Sequence, residues 1–183
     1  MRSLAEIFAV CASSGSSFTH AAIEIETSES GCSVEMLRKG MLSRLKDMEF
    51  SVNEALSGSW RGLLVPEEAY LLHEYGADAA SFSSPFVLTA ARIAIAVSTY
   101  NAAMGRIVAA PTAGSCGILP GILFSYRDHF RCDDETLLSG LFAAAAVGSV
   151  TAARATLAGA SGGCQAECGA ATAMGAAALV QMR

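Results

Sequence analysis

Charge is scarce in this sequence. Only 16% of its 183 residues are Asp, Glu, Lys or Arg, against about 25% in soluble domains generally. Positive charge is scarcer still: 12 Lys and Arg against 17 Asp and Glu leave a net charge of −5, with no Lys/Arg-rich stretch. Phosphate recognition needs clustered positive charge, so nucleic acid is excluded as an expected partner. No alternating apolar/polar run lasts long enough to pair as a strand, so the chain reads as all-α. A secretory leader is not legible either, because Glu6 interrupts the N-terminal apolar run and Arg2 is its only basic residue. Six cysteines without such a leader imply a reducing, cytoplasmic setting. There the default is a free thiol, a metal ligand or a catalytic thiol rather than a disulfide.

What the chain has instead is small apolar residues. It is 52% hydrophobic, much of that Ala, and carries 17 Gly. This composition suits closely packed helices with small side chains at their contacts, and it predicts more buried surface than a small monomer provides, hence an oligomer. Two apolar runs, residues 86–110 and 137–160, have the length of membrane spans. Arg92 and Arg154 lie inside them, and charge at such depth is costly in lipid, so buried helices of a soluble protein are expected.

Start and stop signals outline the helices. Ser3-Leu4-Ala5-Glu6 has the form of a capping box, and residues 12–17 read as a break. Residues 19–26 are expected to be helical, with Glu24 and Glu26 exposed, and residues 27–31 to form a loop. Ser33 is expected to cap a long amphipathic helix whose apolar residues Met41, Leu45, Met48, Val52 and Ala55 recur every three or four positions. Pro66-Glu67-Glu68 predicts a helix to about Tyr75. Ser84-Pro85 predicts another to about Val108, ended before Pro111. A short helix should follow from Leu119 to about Tyr126. Asp133 should open one that closes at Gly159, and a last one should start near Cys168. That last helix has no stop signal before Arg183 and is expected to be cut short.

Two segments hold more glycine than helix packing requires. One is Ala110-Pro111-Thr112-Ala113-Gly114-Ser115-Cys116-Gly117; the other is Gly159-Ala160-Ser161-Gly162-Gly163-Cys164-Gln165-Ala166-Glu167-Cys168-Gly169. Glycine allows close backbone approach, so such turns can wrap a compact inorganic or anionic group with backbone N–H donors, while Thr112 and Ser115 add hydroxyls. Cys164 and Cys168 are four apart, so on a helical turn their sulfurs point the same way. Cys116 can supply a third thiolate from the other segment. Three thiolates are one short of a closed zinc site or a standard cluster, and an iron left with an open position can act as a Lewis acid. Taken singly, each cysteine is also what a small buried apolar residue looks like. Glu167, between the two cysteines, can serve as a base or as an acceptor beside a metal; a Glu there more often marks a helix start. Cys11, Cys32 and Cys132 are assigned to packing or surface, Cys132 in a polar turn. His20, His73 and His129 form no hydrolase pattern, and His73-Glu74-Tyr75 lacks the second His of a zinc helix.

Two longer stretches carry a family resemblance. Asn101-Ala102-Ala103-Met104-Gly105-Arg106-Ile107-Val108-Ala109-Ala110-Pro111-Thr112-Ala113-Gly114-Ser115-Cys116-Gly117-Ile118-Leu119-Pro120 resembles the central signature of bacterial iron-sulfur L-serine dehydratases (L-serine ammonia-lyases). Gly163-Cys164-Gln165-Ala166-Glu167-Cys168-Gly169 resembles their second signature in the two-subunit form. The resemblance is close over residues 86–180 and thin before that, so residues 1–58 are a less typical helical part of a single alpha domain spanning 1–183. It implies a 4Fe-4S cluster held by Cys116, Cys164 and Cys168, with Thr112, Ala113, Gly114 and Ser115 at the substrate. The reaction it implies removes water from L-serine and yields pyruvate and ammonia, with the open iron as Lewis acid and without pyridoxal phosphate. It also implies a beta subunit, whose Ser/His-rich motif is absent here, and an alpha chain longer at its C-terminus. After Leu56 the family carries paired glycines, where this chain reads Ser57-Gly58-Ser59-Trp60-Arg61-Gly62-Leu63-Leu64-Val65-Pro66.

Two other readings stay open on the residues alone. One is a truncated, non-catalytic helical relative whose cysteines pack. The other is a structural three-cysteine metal module, for instance with zinc.

Overall fold

A computed structural model describes residues 1, 3–57, 60 and 83–183. The expected helix at Pro66 and the region lacking paired glycines lie outside the described residues, Ser57 and Trp60 apart. Among the described residues there is no strand, and the long elements are all helices: α1 (Leu4–Ser14), α2 (Phe18–Ser30), α3 (Val34–Ser57), α4 (Pro85–Ala102), α5 (Ile118–Phe130) and α6 (Asp134–Arg154), then the single turn α7 (Gly159–Gly162) and α8 (Ala170–Met182). The all-α expectation holds.

Local chemistry explains most helix starts. Ser3, Ser17, Ser33, Ser84 and Asp133 each accept a backbone N–H of the first turn through a side-chain oxygen, at 2.9–3.3 Å, which satisfies an otherwise orphaned donor. Pro85 adds a fixed φ at the first position of α4. Glycines 15 and 31, both in the left-handed conformation, end α1 and α2.

Several boundaries differ from the sequence reading, residues 12–14 and 127–130 among them, which are helix. Residues 27–30 are helix rather than loop: the left-handed stop falls at Gly31, and the Thr27 and Ser30 hydroxyls donate to the carbonyls of Glu24 and Glu26 within the same helix. Of the two acids expected outside, Glu24 is exposed and Glu26 half-buried. Helix α4 ends at Ala102, six residues early. Met104 adopts φ 65°, and the N–H groups of Met104 and Gly105 donate back to Asn101 and Tyr100, the paired bonds of a Schellman cap with Met in the place usually held by Gly. Helix α6 likewise stops at Arg154, and Gly159 opens the turn α7 instead of closing α6.

The main core joins α3, α4, α5, α6 and α8. Leu45, Met48, Val52 and Ala55 of α3 are buried as their spacing predicts, with Met41 half-buried at the edge. They meet Ile93, Val97, Leu119, Leu123, Phe124, Leu137, Leu141 and Met174. A second cluster sets Ile7, Ala21, Ala22 and Ile25 against Ala146 and Val150. Small residues permit the close contacts: a Cβ on Gly117 would fall 2.1 Å from the Ala94 carbonyl oxygen, and one on Gly121 2.7 Å from that of Ala90, so α4 and α5 touch backbone to backbone. Tyr126 Oη donates to the Met182 carbonyl at 2.6 Å, tying α8 to α5. Among the described residues one helix, α6, is long and apolar enough to cross a membrane, and 56% of its apolar stretch is buried inside the protein.

Charged residues bind α3 to its neighbours from outside. Arg127 reaches Glu49 at 2.7 Å, Lys46 reaches Asp134 at 2.7 Å and Glu49 at 3.1 Å, and Asp47 pairs with Arg44 and Arg106. Burial pushes the Glu49 pKa up, but the hydrogen bonds from Arg127 and Lys46 outweigh it and leave Glu49 below the ordinary value.

Candidate functional site

The first glycine-rich segment begins where α4 stops. Residues 105–109 run without regular structure, the Ala110–Pro111 peptide is cis, and Ala113–Ser115 form one 3-10 turn before α5. Asn101, in the last turn of α4, donates from Nδ2 to the Ala113 carbonyl at 3.1 Å and so ties the turn to the helix. Inside the turn the Thr112 and Ser115 hydroxyls lie 3.1 Å apart, and the Ser115 N–H donates to the Thr112 carbonyl at 3.3 Å. Ser115 and Cys116 are buried, while Ala113 and Gly114 face solvent. Gly117 seats the turn on α4 through its contact with Ala94.

The second segment is helical turns rather than the expected loop. After α7, Gly163 takes φ 68°; Cys164 then leads into a widened π turn, Gln165–Gly169, that continues directly into α8. The last helical path therefore starts at Cys164 and not at Cys168. Such one-turn π insertions recur at functional sites. No residue of 159–169 is buried.

The widened turn brings two of the three site cysteines together. Cys168 is raised above the ordinary thiol value chiefly by a hydrogen bond with Cys164, then by burial and by the nearby Cys164 and Glu167 charges. Cys164 is exposed and Cys168 half-buried. Cys116 is placed differently: its side chain lies in the main core, 1% exposed, and burial pushes its thiol up to about 11. Among the described residues no three His, Cys, Asp or Glu side chains are grouped so as to hold a metal ion.

Glu167 joins the two segments. A Cβ built on Gly114 would lie 3.0 Å from Glu167 Oε2, and one on Gly159 2.7 Å from the same oxygen. Its carboxylate thus occupies the space left by two missing side chains, one from each segment. The sequence singled out Glu167 and both glycine-rich stretches. It carried no sign that Gly114 and Gly159 would close on the same carboxylate, nor that Asn101 would anchor the first turn.

The remaining candidates fall elsewhere. Cys132, expected in a polar turn, is half-buried against the main core. Cys11 packs on the second cluster, and all six cysteines are free thiols. His129 meets Phe86 and Phe130 edge to face, and His73 lies outside the described residues.

Fold and site together define a helical protein that presents a pair of thiols and a carboxylate between facing glycine-rich turns. The chain belongs to the serine dehydratase alpha chain family, whose model matches residues 12–183. It is 37% identical over 179 residues to the L-serine dehydratase alpha chain of Peptoniphilus asaccharolyticus, covering 97% of this chain and 61% of that one. A probable L-serine dehydratase alpha chain of Bacillus subtilis is 44% identical over 140 residues, 75% of this chain and 46% of the relative. One from Latilactobacillus sakei is 52% identical over 95 residues, 52% of this chain and 46% of the relative. The chain therefore spans about half to three fifths of the length of these relatives.

Proposed function

We propose that this chain is the cluster-bearing part of an iron-sulfur L-serine dehydratase that converts L-serine to pyruvate and ammonia together with a beta subunit. The observation that carries the reading is the meeting of the two signature segments across Glu167, beside the paired thiols of Cys164 and Cys168. The names of the relatives support the substrate and the lyase reaction. Six free thiols and the reducing conditions that a thiolate-bound cluster needs support a cytoplasmic setting.

Two of the three expected donors, Cys164 and Cys168, fit a thiolate-bound cluster. They share a turn with their sulfurs together, whereas Cys116, on the facing segment, is buried in the main core and would have to turn outward to join them as a third donor. When bound, the 4Fe-4S group supplies an iron with an open position, a Lewis acid for a substrate oxygen. The other tasks fall to the chain. The exposed backbone of Ala113 and Gly114 lets a small substrate approach the first turn closely. Thr112 and Ser115 supply hydroxyls there, and their mutual contact holds Thr112 in place. Asn101 fixes the turn on α4, so these groups are oriented before substrate arrives. Aminoacrylate, once released, tautomerises and hydrolyses without the protein.

Anaerobic purification with iron and sulfide analysis tests the reading. A brown protein with 4Fe-4S stoichiometry, forming pyruvate from L-serine once a beta subunit is added, is the expected result. Cys164→Ser should abolish cluster and turnover while leaving the helical content intact. A colourless, iron-free wild-type protein overturns the proposal.

A further inference from the structure

We propose that Glu167 is the residue that receives the α-ammonium group of the amino-acid substrate, in a seat made by Gly114 and Gly159; this rests on the reading of the site given above. Three observations converge on it. First, the carboxylate lies in the gap between two glycines, one from each segment. Its Oε2 atom lies where side chains at 114 and 159 would begin, at 3.0 and 2.7 Å. Second, among the described residues it accepts no hydrogen bond and joins no ion pair, unlike Asp47, Glu49, Asp134 and Glu135, which pair with Arg or Lys, but like the unpaired Glu24, Glu35 and Glu54; what sets it apart from these is its place between the two segments. A carboxylate only accepts, so the donor it takes comes from water or from a bound cation. Third, the two segments themselves bring no free cation to it. Residues 155–169 contain no Lys or Arg. On the first segment Arg106 is engaged with Asp47.

The substrate side matches. A hydroxy amino acid offers an ammonium, a carboxylate and a hydroxyl on three adjacent carbons. Glu167 faces Gly114 of the very turn that carries Thr112 and Ser115. One small molecule on that turn can present its ammonium to Glu167 and its oxygens to hydroxyl and backbone donors. The two glycines then have a definite task, since any Cβ at either position displaces the carboxylate or closes the gap it reaches through.

Glu167→Gln in the assembled enzyme separates this role from others, because it keeps size and loses charge. The expected result is a rise in KM for L-serine of about 10- to 100-fold, the loss of one charge-assisted hydrogen bond, with kcat changed much less. Inhibition by L-glycerate, which has a hydroxyl in place of the ammonium, should keep its wild-type constant. Gly159→Ala, whose Cβ would fall 2.7 Å from Glu167 Oε2, should raise KM in the same direction by a smaller factor. Equal weakening for L-serine and L-glycerate, a fall in kcat at unchanged KM, loss of the cluster spectrum in Glu167→Gln, or unchanged kinetics would each overturn the assignment. If the wild-type enzyme forms no pyruvate, the proposed reaction itself has failed. Calorimetric binding of L-serine and L-glycerate to wild type and Glu167→Gln then decides the ammonium contact separately.

Discussion

Helix α6 buries ten of its residues, from Leu137 to Val150, while the stretch from Gly159 to Gly169 that follows it buries none. Both are rich in Ala and Gly. In α6 the small residues let α8 approach, so that Gly140 and Gly148 receive the side chains of Met182 and Met174. In the turns the same residue types leave gaps, and one gap is filled by a carboxylate. The difference lies in what faces the missing side chain: an apolar neighbour extends the core, and a polar one leaves a carboxylate between two turns. Thiols follow the same division. Cys116 sits in the core and its thiol is raised by burial, while Cys168 is raised first by its bond with Cys164.

This contrast can be broken or sharpened by substitution. Leu123→Ala, at a fully buried position in the main core, should cost ~2–5 kcal/mol in denaturant unfolding and leave iron content per folded chain unchanged. A loss of iron with no loss of stability would mean that core and site are not separable. Gly117→Ala bridges the two regions. Its Cβ would fall 2.1 Å from the Ala94 carbonyl oxygen, and the residue adjoins Cys116. It should destabilise by ~1–3 kcal/mol and lower cluster occupancy as well, so an effect confined to either measurement would contradict the placement of the turn on α4.

The smallest effect concerns the ion pairs outside α3. Glu49 has a lowered pKa in the folded protein. The stability it contributes is therefore present above about pH 4.3, the unfolded value, and is lost as pH falls through the lower folded value. Glu49→Gln should flatten the acid limb of a stability-against-pH curve and leave neutral-pH iron binding alone. An unchanged acid limb would show that the pairs with Arg127 and Lys46 are not maintained in solution.

Much of the fold was legible because the signals were local. The periodicity of Leu45, Met48, Val52 and Ala55, the serine and aspartate caps, and Pro85 at a helix start act within one or two turns. The misplaced boundaries had no local signal of that kind. Met104 ends α4 in a conformation that glycine usually takes. Nothing distinguishes Gly159 as an opener rather than a stop. At the site, the pairing of Cys164 with Cys168 followed from a spacing of four, although the turn is wider than an α-helix. The burial of Cys116 depends on how α4 and α5 cross, which no short window contains.

The sequence by itself determined that this protein is helical, that its helices pack through small residues, and that it carries two glycine-rich, cysteine-bearing segments. Residue type and spacing suffice for that, because caps, periodicity and thiol spacing act over one or two turns. Tertiary structure alone decided that the two segments meet on Glu167, through Gly114 and Gly159, and that Cys116 stands apart from the exposed thiol pair. Those facts depend on the crossing of helices distant in the chain, where the absence of a side chain matters only once a neighbour arrives to use the space.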